Sequence, residues 1–414
     1  MVDVVDRIDV AFRGEGSGVA ELTWGQQSML LTMDRERSWL PMGGHQPVAP
    51  GATVADVLDE LRYSLQRYQS FRTRLRAGTL QEVHAEGMLA VEVYETADPL
   101  GLAAEVEHGY RVAAPDLAAD WPLRAAIVCR DGRPERLVAI MPHLVTDAIG
   151  AGVMVAEASA RVATPVTGPQ PLELAEWQRS PSGVRQSAAA VRHWERHLPS
   201  VTVLPPARTP EPVRYPKARF TSPAMAAALP LVAARTGVDP ATILSTAFMT
   251  AVGRVTGTGQ VAVRHLVGNR FRSGLAEVVT PLAQLGLCVA DVSVPFDEAL
   301  GRVARASLAA HKHAYYDPMR LAELLAGADT DVTRTVCYND RRMQRASTVA
   351  ATTADGVLEW VGASSGPTEP LFLHIDDEPG ALVLTVDVDT AFLSRADAES
   401  VARTMESVVV AGRG

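Results

Sequence analysis

The residues best placed to do chemistry are a histidine and an aspartate four positions apart, in MPHLVTDAIG at 141–150. His143 stands where the apolar run RLVAIM gives out. Asp147 stands where a helix with the apolar face Ile149, Val153 and Ala156 begins. Thr146 is the expected cap of that helix. A neutral imidazole at such a corner can take a proton from an attacking group near neutral pH. A carboxylate at a helix start is stabilised by the helix dipole and suits pairing with an arginine better than contact with substrate.

Other motifs carry less. GASSG at 362–366 fits G-x-S-x-G around Ser364, but the loop-and-strand sequence PTEPLFLHI follows where that motif needs a helix. HWERH at 193–197 spaces two histidines by one helical turn, with its glutamate out of place for H-E-x-x-H and no third ligand evident. His311 and His313 read as surface residues on opposite sides of a helix, and GEGSG at 14–18 follows no long buried strand. PMGGHQP at 41–47 looks like a carrier domain's Gly-Gly-His-Ser, but Gln46 stands in place of the serine. Arg62, Arg67, Arg72, Arg74 and Arg76 gather without an acid in 61–76, and are read as a solvated face, as are Arg341, Arg342 and Arg345.

The elements that must position these residues mix strands and helices throughout. Val54, Val57, Leu58, Leu61 and Leu65 mark an amphipathic helix to Tyr68, and FRTRLR after it alternates like a strand. Residues 123–141 read as a hairpin around Asp131-Gly132. A Pro- and Gly-rich stretch at 163–183, with a short helical patch at 173–178, separates this half from a second. There, helices at 223–236, 239–256, 296–315 and 394–409 alternate with the strands QVAVRHLV, TRTVCYN, FLHIDD and ALVLTVDVD. The pattern is α+β.

Set in this order, several segments resemble the condensation domains of nonribosomal peptide synthetases, within the chloramphenicol acetyltransferase-like acyltransferases. MPHLVTDAIG resembles their His-His-x-x-x-Asp-Gly motif. LTWGQQSMLL at 22–31 resembles the opening segment, with Gln26 or Gln27 at its glutamine. RYQSFRTRLR at 67–76 resembles Arg-His-x-x-Leu-Arg-Thr, with Tyr68 replacing the histidine. Residues 218–270 resemble a two-helix, one-strand unit ending in Gly-Arg, here Gly268-Asn269-Arg270. VVTPLAQLGLCV at 278–289 resembles Gly-x-Phe-x-Asn-Thr, with Gln284 near the asparagine.

The resemblance implies two similar lobes, each a mixed β-sheet flanked by helices, arranged as a V around a central tunnel. The expected divisions are 1–165, a crossover linker at 166–184, and 185–414. It implies transfer of an acyl or aminoacyl thioester, borne on the phosphopantetheine of an acyl or peptidyl carrier protein, to an amine or hydroxyl acceptor. No intrinsic cofactor or metal is implied. His143 is the catalytic residue in this reading, and the backbone near Ala148 lies beside it. Asp147 forms a structural ion pair with Arg270, with Arg272 and Arg264 as alternatives. Trp24, Gln27 and Gln284 are tunnel-lining candidates. Two departures stand out: Pro142 replaces the first histidine and Ala148 the glycine. Proline lacks both a side-chain hydrogen bond and a backbone N–H. A domain without chemistry that recruits a partner, or an O-acyltransferase using coenzyme A, are the alternatives. With no adenylation or carrier segment in view, a free-standing protein or one cut from a synthetase is expected.

Composition narrows the classes further. The 414 residues carry 39 Lys+Arg against 48 Asp+Glu, a net charge of −9, which argues against nucleic acid as the main partner. Ala-rich apolar stretches such as 222–233 are too short to span a bilayer, and the acidic start MVDVVDRIDV is unlike a signal peptide. Three dispersed cysteines (Cys129, Cys288, Cys337) fit no disulfide framework and point to a cytoplasmic protein.

Overall fold

The structure is a computed structural model describing residues 4–342, 354–364 and 366–414. Arg345 and Ser365 lie outside the described residues. The chain forms two compact units: residues 1–185 with 268–283, and residues 186–267 with 284–414.

In the first unit the strands are β1 (Asp6–Arg13), β2 (Gly18–Glu21), β3 (Pro41–Pro47), β4 (Thr73–Arg76), β5 (Leu80–Val83), β6 (Glu86–Glu95), β7 (Arg124–Arg130) and β8 (Arg133–Pro142). Its helices are α1 (Trp24–Glu36), α2 (Val54–Arg67), α3 (Pro99–Val112), α4 (Ala148–Ala160) and α5 (Pro171–Arg179). A mixed sheet runs β1-β6-β7-β8-β3, with β6 and β7 parallel and the other neighbours antiparallel. The strands β2, β5 and β4 form a small antiparallel sheet.

The apolar run of β7 follows from burial on both faces. Ala125, Ile127 and Cys129 join Val57, Leu61 and Leu65 of α2, while Ala126 and Val128 join Leu102, Ala103 and Val106 of α3. Asp131 and Gly132 both take positive φ (49° and 71°), the requirement of the tight turn between β7 and β8.

FRTRLR is a strand only from Thr73. Residues 69–72 form a 3₁₀ turn that aims Arg72 inward, where its guanidinium donates to the carbonyls of Glu15, Gly16 and His84. Arg72 is therefore fully buried, not part of a solvated face. Arg67 is held by Glu157, and Arg74 lies over the Trp121 ring.

The second unit contains α6 (Pro181–His197), whose first turn belongs to the first unit, and the helices α7 (Pro223–Thr236), α8 (Pro240–Thr256), α9 (Phe296–Lys312), α10 (Pro318–Ala326) and α11 (Arg395–Ala411). Its strands are β9 (Pro216–Ser222), β10 (Gln260–Val267), β11 (Gln284–Asp291), β12 (Val336–Asp340), β13 (Val357–Ala363), β14 (Leu371–Glu378) and β15 (Ala381–Val388). They form a mixed sheet, β11-β10-β12-β14-β15-β9-β13. Phe248 of α8, Val303 of α9 and Met405 of α11 pack with Phe220, Val263, Leu373 and Leu384 of the strands. Trp194 of α6 and Leu321 of α10 pack with Leu287 of β11. Both units thus have the α+β build of a mixed sheet flanked by helices. Among the described residues, no helix is long and apolar enough to cross a membrane.

Candidate active site

His143, Leu40, Asp147 and Arg270 all belong to the first unit. The antiparallel pairing of β8 with β3 brings Pro142 opposite Pro41. One step further, the His143 N–H donates to the Leu40 carbonyl at 3.0 Å. Residues across such a ladder alternate between bonded and non-bonded pairs. The bond at Leu40 therefore leaves Pro41 and Pro142 at a non-bonded pair, where no cross-strand N–H is needed. A proline in place of the motif's first histidine costs this pairing nothing.

Leu40 itself takes a φ of 48°. A left-handed leucine is costly by about 1–2 kcal/mol, and a following proline favours extended backbone instead. This strained residue aims its carbonyl at the histidine.

The far end of the turn is locked by Asp147. It caps α4 through Oδ1, which accepts from the Gly150 N–H at 3.0 Å. Its Oδ2 accepts from Arg270 Nη1 at 2.7 Å and from the Leu282 N–H at 2.9 Å. Arg270 Nη2 donates to the Val278 carbonyl at 2.8 Å. Aspartate and arginine are 4% and 9% exposed. Thr146 is not the cap, because its hydroxyl donates to the Val279 carbonyl at 2.7 Å and the carboxylate reaches the free N–H instead. Segment 268–283 thus wraps the base of α4, pinned also by Asn269 Nδ2 to the Leu282 carbonyl at 2.8 Å. The other arginines are engaged elsewhere: Arg272 with Asn269, and Arg264, in the second unit, with Glu369 at 2.5 Å.

Between these two anchors His143 is half-buried. Its Nδ1 is buried with no hydrogen-bond partner among the described residues, which leaves Nε2 as the accessible ring nitrogen. A crevice of about 10 Å³, the size for one water, opens beside the turn between Gln26, Ser70, Thr73, Leu144 and Val145. The Ser70 hydroxyl is buried there without a hydrogen-bond partner among the described residues. Ala148 is exposed.

The other candidates have structural partners. Trp24 is buried at the start of α1, its N–H donating to Gln178 Oε1 at 2.9 Å. Gln26 closes a capping box with Thr23. Gln27 Nε2 donates to the Leu22 carbonyl at 2.7 Å, with Oε1 buried and without a hydrogen-bond partner among the described residues. Gln284 lies in the second unit at 2% exposure and brackets Tyr316, giving to its carbonyl and accepting from its N–H. Tyr68 is buried and donates to Glu157, a carboxylate kept low because Arg67 and Tyr68 together outweigh its burial.

The motifs set aside in the sequence stay without a catalytic arrangement. Ser364 Oγ donates to Asp387 at 3.1 Å, and His374 lies on the other side of that carboxylate, so serine and histidine do not meet. Asp387 also holds Lys217 at 3.2 Å. A third histidine does approach HWERH: His313 stacks on His193 with ring centroids 4.8 Å apart, and His197 tilts against it at 4.3 Å. Stacked rings do not aim their lone pairs at one point, and among the described residues no histidine, cysteine or carboxylate cluster is arranged to hold a metal. His311 likewise turns onto buried His265 rather than to solvent alone, its Nε2 3.4 Å from Nδ1 of that ring. PMGGHQP is the edge strand β3.

Sequence reasoning missed Leu40 and the side chains that hold β3, Glu107 and Arg111. The available signal was Pro41-x₅-Pro47, a proline spacing that a two-residue ladder repeat tolerates.

The condensation domain family model matches residues 52–339. No curated protein matches the chain. Among solved structures, the condensation domain of the Monacolin K polyketide synthase MokA is similar at a TM-score of 0.74 and 18% identity, covering 96% of this chain and 98% of its own. A structure described as the basis for condensation domain-mediated chain release from the enacyloxin polyketide synthase gives 0.72 and 17%, with 96% and 83% covered. The X-domain from teicoplanin biosynthesis, seen in complex with OxyB, gives 0.72 and 17%, with 97% and 95% covered. At these identities the likeness speaks for the fold, and the family match spans well over half of the sequence. The chain belongs to the condensation domain family.

Proposed function

We propose that this protein is an acyltransferase of specialised-metabolite biosynthesis, acting in the cytoplasm. It joins an acyl or aminoacyl thioester, presented on the phosphopantetheine of a carrier protein, to an amine or hydroxyl acceptor. The observation that carries the reading is the half-exposed imidazole of His143, on a turn anchored at Leu40 before it and at Asp147 after it. In the reaction the acceptor nitrogen or oxygen bonds to the thioester carbon, the C–S bond breaks, and the acceptor's proton passes through His143 Nε2 to the departing thiolate. Among the described residues, Nδ1 has no carboxylate to stabilise an imidazolium. The ring therefore works by orienting the acceptor and relaying its proton as the tetrahedral intermediate collapses, with the imidazolium formed only transiently. Asp147 and Arg270 are architecture in this account, and the N–H groups at the start of α4, near Ala148, are candidate donors for a developing oxyanion.

The test is His143→Ala with a loaded carrier and intact-mass detection of transfer. Turnover should fall by about 10²–10⁴-fold, the usual contribution of one positioned base. Unchanged turnover removes the histidine from the mechanism. A partner-recruiting role is the second reading, favoured by Pro142 in the motif and by the similarity to an X-domain seen in complex with OxyB. Retention of a partner, together with no transfer from carrier-bound or coenzyme A thioesters, would favour it. Transfer from coenzyme A alone would point to an O-acyltransferase.

A further inference from the structure

Strand β3 lies at the edge of its sheet, with β8 on one side only. The backbone groups on its open side belong to alternate residues, those of the non-bonded pairs. Three of them are taken by one pair of side chains from α3. Arg111 donates to the Pro41 carbonyl at 3.0 Å and to the Gly43 carbonyl at 2.7 Å. Glu107 Oε2 accepts the His45 N–H at 3.0 Å and meets His45 Nδ1 at 2.8 Å. The two side chains are joined at 2.8 Å, and the Arg111 carbonyl accepts Trp39 Nε1–H at 2.8 Å. A guanidinium and a carboxylate thus do what a neighbouring strand would do, in the alternation that a strand would need.

The clamp has a target beyond edge protection. It grips Pro41, the residue directly after Leu40, and Trp39, directly before it. The Leu40 N–H is turned to Ser38 Oγ at 3.1 Å, so its carbonyl is the group left facing His143. Gly43 must be glycine for β3 to lie this close: its φ is 102°, and a Cβ would collide with the Ala139 carbonyl. We propose that Arg111, seated by Glu107, is a positioning residue for His143, acting through β3 and the Leu40 carbonyl in place of the motif histidine that Pro142 has replaced. The inference rests on the acyl-transfer reading for its kinetic consequence, but not for its structural one.

The chain has ten histidines, so ¹⁵N-histidine labelling gives a backbone amide spectrum of ten signals, and His143→Ala identifies one of them. In Arg111→Ala, hydrogen exchange at the His143 amide should accelerate about tenfold or more, as the local opening becomes easier. The His45 amide should follow it, and the histidine amides of the second unit should not. With loaded carrier, kcat should fall about tenfold to a hundredfold with KM unchanged, the signature of a displaced group rather than lost binding. An unaltered His143 amide overturns the proposal. Should Arg111→Ala not fold, Glu107→Gln unseats the guanidinium more gently, with the same result expected and the same result decisive. If the wild-type protein shows no turnover, the acyl-transfer reading fails and the amide measurement alone judges the clamp.

Discussion

Asp147→Ala should cost the first unit about 4–6 kcal/mol. Loss of the cap on α4 supplies about 1 kcal/mol of this, because the Gly150 N–H loses its acceptor. The larger share, about 3–5 kcal/mol, comes from leaving Arg270 buried and charged with no counter-ion. Its remaining partners are backbone carbonyls, which carry no net charge. Against a typical total of about 5–15 kcal/mol, the loss approaches the stability of a domain. Arg270→Met should cost less, since the Asp147 carboxylate would keep two N–H donors and the positive end of α4. The double variant should be more stable than the two separate losses imply, by about 2 kcal/mol or more, because neither charge is then stranded. Urea unfolding followed by tryptophan fluorescence reads the first unit well, since Trp24, Trp39, Trp121 and Trp177 all lie in it. A cost under about 1 kcal/mol for Asp147→Ala, or strict additivity in the double variant, would refute the account of Asp147 as architecture.

Gly150→Ala in α4 should destabilise by about 1–3 kcal/mol, although alanine is the better helix former by about 1 kcal/mol. The new methyl would collide with the Val279 carbonyl and come within 2.6 Å of Thr146 Oγ1; thermal unfolding checks it. His265 is kept neutral, down to about pH 3, by burial and then by His311 beside it, and burial also lowers His193. An unfolded histidine titrates near 6.5, so between there and about pH 3 the unfolded chain holds more protons. Stability should be full above pH 6.5 and fall on acidification toward pH 3 by about 1.4 kcal/mol per pH unit for His265, with His193 adding to the loss in the same direction. In His265→Gln, urea midpoints across this window should slope less steeply; an unchanged slope would contradict the assignment.

Much of this protein could be read locally. Leu58, Leu61 and Leu65 recur at the helical period, and the helix they announce is there at Val54–Arg67. Asp239-Pro240 and Gly237 punctuate two helices where a cap, a first-turn proline and a left-handed glycine belong. Asp131-Gly132 marked its turn. These signals act between near neighbours, where side-chain and backbone preferences differ by about a kcal/mol per residue, enough to leave a pattern. Expectations that depended on a distant partner fared differently. PMGGHQP has two prolines, two glycines and no β-branched residue, yet it is a strand, because β8 on one side and Arg111 with Glu107 on the other supply its hydrogen bonds. Arg72 sits in an arginine-rich run and is buried all the same, because three carbonyls from distant turns converge on it.

The candidate site divides along the same line. Residue types and spacing singled out His143 and Asp147, because a histidine at a strand's end and a carboxylate at a helix's start are local features with local causes. Only the folded chain decided that Asp147 rather than Thr146 caps α4, that segment 268–283 returns to the first unit to hold it, and that Leu40 is strained toward the histidine. Each rests on a contact between residues separated by about 100 positions or more in sequence: Thr146 with Val279, Asp147 with Arg270 and Leu282, and His143 with Leu40. Such contacts are chosen by the loop-closure cost they overcome and the buried groups they satisfy, and neither quantity is written in the composition of either segment.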